Sequence, residues 1–201
     1  MKETENIKEI SALNPDYLGF IFWEKSKRNM TLGAIPELPE TTKKVGVFVD
    51  ASIQEIATKI NQYQLDIIQL HGNESVIFCK NVKKFSVEVI KVFSIDSTFN
   101  FSVVKEYVLA VDYFLFDTKG KLPGGNGITF DWNVLENYHF NVPYFLSGGI
   151  GTTEIDGLKE FLKSSVANKC YGIDVNSRFE KKPGIKNKIK LQKFKKLLYE
   201  I

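Results

Sequence analysis

Cysteine and histidine are scarce in this 201-residue chain, two of each, and Cys79 and Cys170 stand far apart with no Cys-x-x-Cys anywhere. That excludes a disulfide framework and leaves no zinc-ligand spacing, so both thiols are expected to pack as small buried side chains. No apolar run approaches the roughly 18 residues of a membrane span, and the chain opens on Met1-Lys2-Glu3-Thr4-Glu5 rather than on a basic stretch followed by an apolar one. Neither a membrane segment nor a signal peptide is expected, and the expected location is the cytoplasm. Charge of one sign is lacking too, since 27 Lys and Arg meet 24 Asp and Glu for a net charge of +3. The lysines are dispersed apart from the last helix, which describes a solvated face rather than a nucleic-acid footprint. No Gly-x-Gly-x-x-Gly follows a strand, no Walker phosphate loop occurs, and no carboxylate cluster suits a metal, so neither cofactor nor metal is expected.

What the chain does have is apolar material, 43% of its residues, enough for one full core; a single domain over residues 1–201 is expected. Its most informative stretch is Phe114-Leu115-Phe116-Asp117-Thr118, a short apolar run ending in an acid and leading through Gly120, Gly124, Gly125 and Gly127 to Asp131 and Trp132. Such a run reads as a strand covered on both faces, and its carboxyl end is where parallel α/β folds keep their chemistry. An Asp there serves equally to start a turn.

Similar units recur along the chain. Residues 4–13 suit a helix with Thr4 as N-cap and Ile7, Ile10 and Leu13 on one face, and Tyr17 to Phe22 reads as a buried strand. A polar loop, Trp23 to Met30, follows it. Lys44 to Asp50 is the next strand, and Ser52 with Glu55 forms a capping box for a helix carrying Ile53, Ile56, Ala57 and Ile60. Asp66 to His71 is strand, Asn73 caps a helix bearing Ile77, Phe78 and Val82, Glu88 to Ile95 is strand, and Ser97 to Tyr107 a weaker helix. After the glycine loop come a short helix at Asp131 to Tyr138, a strand at Val142 to Ser147, and a helix capped by Thr152 or Thr153. A last strand at Cys170 to Val175 precedes a closing helix near Lys186 to Tyr199, with Ile189, Phe194, Leu197 and Leu198 as its apolar residues.

Strands alternating with helices predict a parallel α/β sheet. Their starts, near positions 17, 43, 66, 88, 113, 142 and 169, recur about every 25 residues, a cadence that favours a (β/α)₈ TIM barrel over a doubly wound sheet. Only seven strands are visible, and one further step back from Tyr17 lands about eight residues before Met1, so the first strand is expected to be missing.

Two late loops, Ser147-Gly148-Gly149-Ile150-Gly151 and Gly172-Ile173-Asp174-Val175-Asn176-Ser177-Arg178, fall after the last two strands. A barrel there commonly binds phosphate through backbone N–H groups and a helix N-terminus, which predicts a phosphorylated small molecule as ligand. The competing use of these glycines is a turn with positive φ. Arg28 could clamp a carboxylate through two parallel hydrogen bonds, although an Arg beside lysines is ordinarily solvated. Gln69 and His71 alternate at a strand end and so share a face, pointing into a barrel mouth or resting at a satisfied strand end.

Taken in order, these residues resemble the phosphoribosylanthranilate isomerase family over essentially the whole chain. The resemblance is carried by Asp16 to Phe22 with Lys25-Ser26 and Arg28, Val45 to Val49, Gln69-Leu70-His71-Gly72, and Phe116-Asp117-Thr118 with Gly124-Gly125-Asn126-Gly127 and Thr129 to Trp132. It continues through Ser147-Gly148-Gly149 and Asp174-Val175-Asn176-Ser177 with Pro183-Gly184. Each motif is weak alone; the ordered set is specific. The resemblance implies a TIM barrel and a cofactor-free Amadori rearrangement of N-(5'-phosphoribosyl)anthranilate in tryptophan biosynthesis, by a monomer or homodimer. It implies Asp117 as general acid, with Arg28 on the anthranilate carboxylate. It further implies substrate contacts from Gln69, His71, Gly125, Gly148, Gly149, Asp174, Asn176 and Ser177. The family's general base is a Cys ending its first strand in Lys-x-Cys-Gly, and Met1 to Ile7 look like the residues just after it. Neither Cys79 nor Cys170 matches that base by position, and Arg178 and Asn187 stand where many relatives have Gly and Asp. Two rivals are a phosphate-binding barrel without catalysis and another phosphosugar isomerase or epimerase.

Overall fold

The computed structural model describes residues 1–118 and 130–199. Seven strands, β1 (Tyr17–Ile21), β2 (Lys43–Phe48), β3 (Ile67–Leu70), β4 (Glu88–Ile95), β5 (Tyr113–Thr118), β6 (Tyr144–Leu146) and β7 (Cys170–Ile173), pair in sequence order, each parallel to the next. Parallel neighbours need crossovers, and helices supply several of them: α2 (Ile53–Tyr63), α3 (Val76–Lys83) and α4 (Ile155–Lys163). Helix α1 (Thr4–Ser11) opens the chain and α5 (Lys188–Tyr199) closes it.

Alternation along the strands separates two cores. Val45, Val47, Ile67, Ile90, Val92, Leu115 and Phe145 form a cluster with no helical member, the filling of the curled sheet. The other strand faces, Phe20, Phe48, Ile68, Leu70, Phe114 and Phe116, pack outward against helix residues such as Ile7, Ile56, Val82 and Leu158. Burial on both faces is why these strands read as continuous apolar runs. The fold is thus of the (β/α)₈-barrel type, with seven strands in the parallel sheet of the described residues. β1 and β7 are the two ends of the sheet and are not paired with each other. On that side the Tyr17 and Tyr171 hydroxyls approach to 3.4 Å, and the Met1 amine donates to the Gly19 carbonyl at 2.8 Å.

Several local expectations are corrected. Thr4 lies inside α1, whose N-cap is Glu3 with no side-chain cap, and Leu13 falls beyond its end. The cap of α3 is Ser75, whose Oγ accepts the Phe78 N–H at 3.2 Å, rather than Asn73. Ile77 is 73% exposed, because the stripe packed on the sheet runs through Cys79 and Val82, and a residue two places from Cys79 lies on the far side of the helix. Ile189 is likewise 79% exposed while Phe194 of α5 is buried. The weak helix at 97–107 is a 3-10 helix over Phe101–Tyr107, and the one after the glycine loop is 3-10 over Trp132–Asn137. Thr152 and Thr153 form a 3-10 turn with Glu154 ahead of α4 and supply no side-chain cap. Cys79 is buried as expected, but Cys170 is only partly so. A hairpin, β8 (Glu180–Lys182) and β9 (Ile185–Lys186), was not foreseen; its turn places Gly184 at φ +84°, a conformation suited to glycine. Among the described residues no helix is long and apolar enough to cross a membrane.

Candidate active site

The carboxyl ends of the strands converge on a cavity of about 340 Å³. Leu115 belongs to the inner core, so Asp117, two residues on, points to the same side and meets the cavity at the mouth of the curled sheet. By the same alternation Gln69, aligned with Val47 of β2 and Ile90 of β4, faces inward, and His71 follows it. The expected Asp117, Gln69 and His71 are therefore brought together. Asp117 is 5% exposed; one carboxylate oxygen accepts the Thr118 N–H at 2.9 Å, and the other lies 3.5 Å from Nε2 of His71. Nε2 is buried and has no hydrogen-bond partner among the described residues. A carboxyl beside an imidazole, largely shut from water but open to one cavity, is an arrangement for moving a proton.

Gly148, Gly149, Asp174, Asn176 and Ser177 border the same cavity. Ser147 Oγ donates to Asp174 at 2.8 Å, tying the loop after β6 to the loop after β7. Burial pushes the Asp174 carboxyl above its ordinary value; the Ser147 hydrogen bond opposes this and the charge of Asp117 adds to it. Gly148 at φ +95° and Gly149 at +66° turn the chain sharply, and a Cβ on Gly148 would stand 2.1 Å from Thr118 Oγ1 and 2.5 Å from the Thr118 nitrogen. Gly148→Ala is therefore expected to strain the backbone by about 1 to 3 kcal/mol and to push the residue next to Asp117. Urea denaturation reads the loss, and a variant as stable as the parent refutes this account of the glycine.

Arg28 also lines the cavity, and its guanidinium is held in an ion pair rather than left to solvent alone. Its Nε lies 3.0 Å from both oxygens of Glu180, and Nη2 donates to one of them at 2.8 Å, so the hairpin holds it. Glu180 and its neighbour Lys186 are the functional candidates that sequence reasoning missed. The available signal was Pro183-Gly184 between two short polar segments, a turn that brings residues 180 and 186 together. Gly125 lies outside the described residues. Neither cysteine reaches the cavity: Cys79 lies on the sheet-facing side of α3 and Cys170 opens β7, and burial pushes the two thiols up to about 11 and about 12. Among the described residues no group of three or more His, Cys, Asp or Glu could hold a metal ion.

A parallel sheet curled round its own core, its polar side chains gathered at the carboxyl ends and glycine loops on its last two strands, belongs to the class of (β/α)₈-barrel enzymes. Residues 1–196 match the family model described as N-(5'phosphoribosyl)anthranilate (PRA) isomerase. The N-(5'-phosphoribosyl)anthranilate isomerase of Parabacteroides distasonis is 41% identical over 201 residues, spanning 96% of this chain and 88% of that one. That of Phocaeicola vulgatus is 40% identical over 188 residues, spanning 93% and 89%. The crystal structure of phosphoribosyl anthranilate isomerase from Thermotoga maritima superposes with a TM-score of 0.79 at 26% identity, covering 100% of this chain and 96% of that one. The Thermus thermophilus structure, at 24% identity and a TM-score of 0.80, shares the fold over the same fractions. The chain belongs to the phosphoribosylanthranilate isomerase family.

Proposed function

We propose that the chain isomerises N-(5'-phosphoribosyl)anthranilate to 1-(2-carboxyphenylamino)-1-deoxyribulose 5-phosphate in tryptophan biosynthesis. The observation that carries this reading is the meeting of Asp117, Arg28 and the two glycine-bearing loops at one cavity. Asp117 gives its proton to the ribose ring oxygen, the C1–O bond breaks, and the nitrogen lone pair forms the C1=N bond of a Schiff base. Loss of the C2 proton to water then yields a neutral enolamine, which becomes the ketone as a proton is added at C1 and the C2 hydroxyl proton is released. No electrons leave the substrate, so the rearrangement needs no redox cofactor.

Arg28 holds the anthranilate carboxylate, Gln69 and His71 border the sugar, and the backbone at Gly148, Gly149, Asn176 and Ser177 receives the phosphate, with Asp174 bracing those loops and Gly125 closing the substrate contacts. Neither Cys79 nor Cys170 supplies the thiol that the family resemblance expects at C2. The reading places the enzyme in the cytoplasm, where its two free thiols suit a reducing medium, as a monomer or homodimer. Incubation with the aminoaldose tests the activity, and failure to form the aminoketose product would sink it. The phosphate assignment has its own check. Titration of the labelled protein with inorganic phosphate is expected to shift the amide resonances of Gly148, Gly149, Asn176 and Ser177. Shifts confined to Tyr113 and Tyr171 would place the anion elsewhere.

A further inference from the structure

The side chain of Glu180 is 5% exposed and carries more contacts than a surface ion pair would. Besides Arg28, its carboxylate accepts the Gly184 N–H at 3.0 Å and lies 3.3 Å from Lys186 Nζ. Lys186 in turn donates to the Asn176 carbonyl at 2.9 Å and also binds the Asn176 side-chain oxygen. The backbone of Lys186 is fixed from α1: Asn6 accepts its N–H at 2.7 Å and donates to its carbonyl at 2.9 Å. One buried carboxylate therefore joins the loop after β1 to the loop after β7 through two side-chain cations, on a hairpin anchored from outside the site. Burial alone would push the Glu180 carboxyl up, but the Arg28 hydrogen bonds, the Lys186 charge and the Gly184 N–H hold it below the ordinary range.

The geometry at Arg28 is selective. Glu180 takes the side edge of the guanidinium, Nε and the nearer hydrogen of Nη2. The end edge, Nη1 with the second Nη2 hydrogen, is the remaining pair of parallel donors, and a planar carboxylate fits such a pair. We infer that Glu180 is a positioning residue for the isomerase reaction, fixing the edge that Arg28 presents to the substrate carboxylate and, through Lys186, the Asn176 turn at the opposite end of the substrate. This rests on the activity proposed above and adds to it a link between the two ends of the ligand.

Glu180→Gln keeps the shape and removes the charge that both cations share. It is expected to raise KM about 10- to 100-fold, since misplacement of about 1 Å can cost that much, with a smaller change in kcat. Glu180→Asp is expected to recover part of the loss, which a role limited to folding would not predict once both variants are shown to be folded by circular dichroism. In calorimetric titration with the aminoketose product, Glu180→Gln and Arg28→Ala are expected to be non-additive, and Glu180→Gln alone is also expected to weaken inorganic phosphate. Product and phosphate affinities within twofold of the parent, or strict additivity with Arg28→Ala, would overturn the inference. A parent chain that binds product without turning over substrate would refute the proposed activity while leaving these titrations to decide on Glu180; a parent that binds neither ligand would overturn both.

Discussion

Asp117→Asn is expected to lower turnover by about 10² to 10⁴, the range that a general acid contributes, while leaving the fold intact. The substitution keeps the shape of the side chain and removes its acidic proton, and the new amide oxygen can still accept the Thr118 N–H that Asp117 holds at 2.9 Å. What is lost is proton delivery to the ring oxygen, so ring opening becomes the slow step. Affinity for the open-chain product is expected to change little, because product no longer needs that proton. Steady-state turnover together with product titration separates the two effects. Turnover within threefold of the parent would remove Asp117 from the mechanism.

The second large effect concerns stability, behind the outer face of the sheet. Lys91 of β4 and Glu74 form an ion pair at 2.9 Å with side chains 3% and 2% exposed. Lys91 also donates to the Gly72 carbonyl at 2.7 Å, and Glu74 accepts the N–H groups of Gly72 and Asp50 at 3.0 Å each. The pair thus ties together the ends of β2 and β3, where His71 enters the site. Lys91→Met leaves the Glu74 charge buried without its partner, which costs about 3 to 5 kcal/mol, a large share of the roughly 5 to 15 kcal/mol that holds a domain folded. A second substitution, Glu74→Gln, is expected to return part of the loss by removing the stranded charge. Urea denaturation of the single and double variants is the measurement; a loss below about 1 kcal/mol for Lys91→Met would show that the pair is replaceable.

The physical basis of what was legible in the sequence is locality. The strands at Tyr17 to Ile21, Lys43 to Phe48 and Tyr113 to Thr118 were legible because a strand covered on both faces carries a continuous apolar run, here Val45 to Phe48 in the second and Tyr113 to Phe116 in the third, a pattern visible without any partner. Alternation within a strand put Gln69 and His71 on one face, Asp117 stood at a strand's carboxyl end, and the even spacing of the strand starts pointed to a barrel; the structure brings all three to one cavity. The ordered motifs also carried the family. Short helices were less legible, since Ile77 and Ile189 look as apolar as Val82 and Phe194, and only packing against the sheet decides which side of a helix is covered. The tertiary structure alone decided the environment of Arg28. Its partner Glu180 lies 152 residues away on a hairpin whose segments are two and three residues long, too short to show a period. The buried pair of Lys91 and Glu74 is likewise a product of the tertiary structure: burial of a pair depends on what folds over it, and no local pattern in the chain records that.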